Sequence, residues 1–79
     1  MNYTNVLHEF FGTLAEELNL RTETEGDAMT VYVYNARRFA LKHFAEYLEE
    51  YGTSCVLYFE DYPVLVDETM GASVTVKEG

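Results

Sequence analysis

The chain has 79 residues, and its 14 acids against five bases give a formal charge of −9 at pH 7. That balance argues against direct binding to DNA, RNA or anionic membrane, because such binding needs Lys and Arg to replace the counterions along the phosphates. An apolar fraction of 48%, with five Phe and seven Tyr, argues equally against disorder, since disordered chains lack aromatic and β-branched residues.

The first element reads as a helix near residues 4–19. Tyr3, Leu7, Phe10, Phe11, Leu14 and Leu18 recur at three- and four-residue spacing and fall on one stripe. Glu9, Glu16 and Glu17 lie off the stripe, Gly12 falls on the polar side, and Thr4 is the expected N-cap. Leu20 to Glu25 alternates, Glu25-Gly26-Asp27 signals a turn, and Met29 to Tyr34 alternates again. This predicts a β-hairpin whose first strand is polar enough for a sheet edge.

Asn35 caps a second predicted helix over 36–51, with Gly52 just past its end. Ala40, Phe44, Tyr47, Leu48 and Tyr51 belong to its buried side. Arg38, Lys42, Glu46, Glu49 and Glu50 belong to its outer side. Cys55 to Glu60 is a β-branched and aromatic run, Glu60-Asp61-Tyr62-Pro63 turns the chain, and Val64-Leu65-Val66 returns it. A second turn over 67–72 leads to a last alternating run, Ser73 to Lys77. The order α-β-β-α-β-β-β predicts an α+β two-layer sandwich, with two helices on one face of a mainly antiparallel sheet. It also predicts one domain over the whole chain.

If the helices cover one face, Met29, Val31, Val33, Cys55, Leu57 and Phe59 suit the covered side. The open side then carries Thr30, Tyr32 and Tyr34 beside Val56 and Tyr58. An open antiparallel face is normally polar, so this apolar, hydroxyl-bearing platform is a candidate interface, for example with a second copy.

Residues able to carry chemistry stand without the partners that chemistry needs. Cys55 is the lone cysteine, which excludes an intramolecular disulfide and suggests a cytoplasmic setting. No base with an orienting third group is spaced to activate it. His43, Glu46 and Glu50 share a helical face, but no second helix repeats the motif of a helical metal site. No glycine-rich phosphate loop exists. The first twenty residues carry three Glu and no basic start, so they do not read as a signal peptide. The expectation is a protein without enzymatic activity, metal or cofactor.

Charge is the remaining feature. Glu46, Glu49 and Glu50 on the second helix, with Glu60, Asp61, Asp67 and Glu68 in the turns, could stand in for phosphates against a basic surface on another protein. Acidity also keeps a small domain soluble. In composition and size alone the chain resembles the phage-borne inhibitors that mimic nucleic acid, such as antirestriction and anti-CRISPR proteins. That resemblance implies a partner protein with a basic, nucleic-acid-binding type of cleft. The alternative is a homodimeric structural or regulatory domain paired through Tyr32, Tyr34, Val56 and Tyr58.

Overall fold

The computed structural model describes residues 5–79. The expectations for Tyr3 and Thr4 lie outside these residues. Helix α1, Val6–Glu17, starts at Asn5, whose extended backbone lets its side-chain oxygen accept from the His8 N–H at 3.1 Å. It ends two residues earlier than expected. Asn19 takes a left-handed φ of 57°. Its N–H donates to Glu16 O at 3.2 Å while the Leu20 N–H donates to Ala15 O at 2.8 Å, a paired closure that satisfies the last carbonyls.

The hairpin follows as predicted. β1, Arg21–Glu25, pairs antiparallel with β2, Ala28–Val33, through a turn in which Gly26 adopts φ 59°. Helix α2, Ala36–Tyr51, is capped by Asn35, whose side chain accepts from the Arg38 N–H at 3.1 Å. A second cap comes from the far end of the chain, where Glu78 accepts from the Ala36 N–H at 3.1 Å. Gly52 closes the helix at φ −82°, so handedness is not why glycine stands there. A Cβ at this position would strike the Leu48 carbonyl.

Strands β3 (Cys55–Phe59), β4 (Pro63–Asp67) and β5 (Ala72–Glu78) complete one five-stranded sheet in the order β1-β2-β5-β4-β3. Three of its four pairings are antiparallel, and β2 with β5 is parallel. Both helices pack on one face, which confirms the α+β two-layer architecture and its element order. Phe10 of α1 lies against Tyr51 at the end of α2, with ring centroids 6.4 Å apart. Leu18, past the end of α1, shares a hollow with Asn35 and Arg38 at the start of α2, so the helices run antiparallel. Among the described residues, no helix is long and apolar enough to cross a membrane.

The buried core takes Leu7, Phe11 and Ala15 from α1, and Ala36, Ala40, Phe44 and Tyr47 from α2. The sheet adds Met29, Val31, Val33, Leu65, Ala72, Val74 and Val76. Two expectations change here. Cys55, Leu57 and Phe59 face the helix side but are not covered, because β5 takes the centre and pushes β3 to the margin; Cys55 is half-buried, and Leu57 and Phe59 are exposed. Tyr51 is also exposed, at the end of α2.

Gly12 is half-buried rather than on the polar side, and a Cβ there would meet only the Met29 methyl at 4.0 Å. Gly12→Ala therefore gains helix propensity without a clash. It should stabilise the protein by about 0.5–1 kcal/mol, read as a rise in the denaturant midpoint at unchanged slope.

Candidate acidic binding groove

The expected acidic residues do not form one surface. Glu46, Glu49 and Glu50 occupy the C-terminal half of α2, and Glu68 lies at the same end, where its N–H donates to Ser54 O at 2.9 Å. Glu60 and Asp61 sit at the opposite end, in a hollow shared with Asn35 and Arg37. The stretch of α2 from Arg37 to Glu46, Glu49 and Glu50 separates the two groups by roughly 14–20 Å.

Asp67 leaves the set altogether. It is buried, 6% exposed. Its carboxylate accepts from the Tyr47 hydroxyl at 3.2 Å and from the Thr69 and Met70 N–H groups at 3.1 and 3.2 Å. The turn that looked solvated is therefore tied to the core, and Asp67 has no surface to offer a partner. Burial, with the hydrogen bond and charge of Asp67, raises the Tyr47 phenol above the usual tyrosine range. Burial and the same carboxylate raise the Cys55 thiol. Both groups are uncharged when protonated, so a raised folded pKa stabilises the fold below the unfolded pKa and is lost as pH climbs. Stability should thus fall above about pH 9, where the unfolded thiol and then the phenol ionise first. Chemical denaturation across that range should show the fall, and Tyr47→Phe should flatten it.

The tyrosine platform is likewise divided. Tyr32 on β2 and Tyr58 on β3 are three strands apart, about 14 Å, because β5 and β4 lie between them. Tyr32 donates to Glu23 and lies under the Arg21 guanidinium, 3.9 Å from the ring centroid. Tyr34 lies past the end of β2 and is 95% exposed, beside Arg38 and Lys42 rather than on the open face. Val56 and Tyr58 do share the open face, opposite Val66 and Val64 of β4.

What the fold brings together is a groove of about 390 Å³ between the two helices. Val6, Phe10, Leu14 and Tyr51 give it an apolar floor, and Glu9, Glu17 and Glu46 line its margins. The Glu46, Glu49 and Glu50 side chains enclose a second hollow on the same end of α2. The carboxylate of Glu50, with burial and the more distant Glu9, raises the Tyr51 phenol. Carboxylates from both helices thus act on one ring. Glu9 and Glu17 are visible in the sequence as acids off the apolar stripe. Only the antiparallel pairing of α1 with α2 sets them opposite Glu46.

Further acids stand at the C-terminal ends of both helices, which lie at opposite ends of the antiparallel pair, whereas Glu9 occupies the first turn of α1. A helix C-terminus carries partial negative charge, which disfavours carboxylates and favours bases. Both α1 and α2 nonetheless end in adjacent glutamates, and neither has a base in its last turn. His43 Nδ1 lies 2.5 Å from Glu46 and offers that carboxylate one contact. Among the described residues, no three histidine, cysteine or carboxylate groups stand together at metal-holding spacing. No family model matches the chain, and no curated protein or solved structure matches it either.

Proposed function

We propose that the protein is a small acidic binding protein that inhibits or regulates a partner by occupying its basic, nucleic-acid-binding type of surface. One observation carries the reading. Carboxylates of both helices, Glu9 and Glu17 of α1 and Glu46 of α2, line the margins of an apolar aromatic floor. Glu49 and Glu50 continue the acid to the C-terminal end of α2, where the backbone dipole disfavours them and no base stands in the last turn. Solubility alone would be served by acids anywhere on the surface.

The floor suggests how a partner is held. Lys and Arg carry apolar stems behind a charged head. A guanidinium can stack on Phe10 or Tyr51 while its charge meets Glu9, Glu46 or Glu50. Glu49 and Glu68 extend the field at this end. Glu60 and Asp61, at the far end, would serve a partner only if it spans the molecule.

The test is binding to basic nucleic-acid-binding proteins, found by pull-down from the native host, across a salt series. Affinity should fall with salt, because exposed charges are screened over about 8–10 Å at physiological ionic strength, and nucleic acid should compete. Reversing Glu46, Glu49 and Glu50 together to Lys should chiefly slow association. It should also raise the melting temperature, since bases suit the C-terminal end of α2. A reversed variant that binds and inhibits as well as the original would sink the proposal.

A further inference from the structure

The two margins of the sheet are unlike. β1 carries Arg21, Glu23 and Glu25 along its length, the charged form in which edges normally resist pairing. β3 is also an edge, yet Cys55-Val-Leu-Tyr-Phe59 has no charge, proline or bulge. Neither helix covers it, and Leu57, Tyr58 and Phe59 are 39, 51 and 38% exposed. Arg37 of α2 reaches Phe59 at 5.8 Å. One turn further along that flank, Leu41 is also exposed.

The hydrogen-bond phase of β3 can be read from its start. Ser54 O accepts from the Glu68 N–H, so that pair is bonded, and antiparallel pairs alternate between bonded and unbonded. Val56–Val66 and Tyr58–Val64 are then the bonded pairs within the sheet. The main-chain N–H and C=O groups of Cys55, Leu57 and Phe59 point to the free edge. They are spaced evenly about Leu57, so this edge is complementary to itself.

We propose that β3 pairs antiparallel with β3 of a second copy about a twofold axis at Leu57, joining two five-stranded sheets into one. In that register Leu57 faces Leu57, Cys55 faces Phe59 and Val56 faces Tyr58. Beyond the strand, Glu60 falls opposite Ser54 and Asp61 opposite Thr53. The carboxylates of two chains that each carry a charge of −9 therefore meet hydroxyls and not one another. Longer-range repulsion remains, and salt screens it. The dimer accordingly tightens with salt, whereas partner binding at the acidic groove weakens, so the two proposals stand or fall separately.

Sedimentation of the purified protein at low and high salt tests the pairing. The expected result is twice the chain mass, with more dimer at high salt. Leu57→Lys sets two like charges on the axis and should give a folded monomer, and so should Leu57→Glu. Mixing the two should restore the doubled mass, which a merely misfolded variant could not do. Leu57→Pro removes an outward N–H while leaving the bonds to β4, and it should also give a monomer. Three results would overturn the inference. They are a monomeric wild type at every salt concentration, a dimer indifferent to Leu57→Lys, and an edge whose Leu57 amide is protected from exchange only when an extended apolar peptide from another protein is added.

Discussion

Phe44→Ala should remove a large share of the protein's stability. Phe44 is 1% exposed, on the inner face of α2, edge-on to Phe11 at 5.5 Å. Truncating a buried phenylalanine costs roughly 3–5 kcal/mol, the lost burial and the cavity together. A domain of this size holds only about 4–12 kcal/mol at typical values per residue. Urea unfolding followed by far-UV circular dichroism should show the midpoint lowered by about half for a stability in the middle of that range, at unchanged slope. Phe10→Ala is the control. Phe10 is half-buried and lines the groove, so its loss should cost clearly less while weakening partner binding. Equal losses at both positions would mean that Phe10, not only Phe11, belongs to the closed core.

Asp67→Ala should be nearly as damaging, for a different reason. It leaves the buried Tyr47 hydroxyl and the part-buried Thr69 and Met70 N–H groups without their acceptor. An orphaned buried donor costs about 1–3 kcal/mol, and water can reach the loop amides more easily than the phenol. The expected loss is about 2–4 kcal/mol. Tyr47→Phe removes only one donor and should cost about 1 kcal/mol. In the double variant the penalties should not add, because the phenol that Asp67→Ala strands is already gone. Thermal melts of the two single variants and the double variant measure that coupling directly. Strict additivity would mean that Tyr47 and Asp67 do not share a bond in solution.

These two sites mark what could be read from the chain alone. The alternation of Met29, Val31 and Val33 and the three- and four-residue spacing of Leu7, Phe11 and Leu14 in α1 and of Ala40, Phe44 and Tyr47 in α2 specify elements and faces, because local periodicity is a property of the sequence. Asn35 and Gly52 mark the ends of α2 for the same reason. Strand order is not local. The chain's last strand inserts between β2 and β4, and nothing in Ala72–Glu78 announces it beyond its alternation. That insertion exposes Leu57 and Phe59 and parts Tyr32 from Tyr58. Asp67 was misplaced similarly, since an acid in a turn reads as solvated until the phenol that holds it is seen. The acidic groove was half legible. Glu46, Glu49 and Glu50 follow from the helical face, whereas Glu9 and Glu17 join them only through helix packing.

The central position of β5 also bears on how the protein is made. As the chain leaves the ribosome, both helices and four strands emerge before the strand that joins the two hairpins. Until Val74 and Val76 arrive, β2 and β4 have no neighbour between them, and Met29, Val31 and Leu65 lack their main cover. A nascent chain ending near Asp67 should therefore be protease-sensitive and prone to engage chaperones, since unpaired strands and exposed apolar surface are what such systems recognise. The last turn of the ladder fastens the result. Glu78 caps α2 and the Gly79 N–H donates to Val33 O at 3.1 Å, so these contacts form only after every other helix and strand of the sheet has been made.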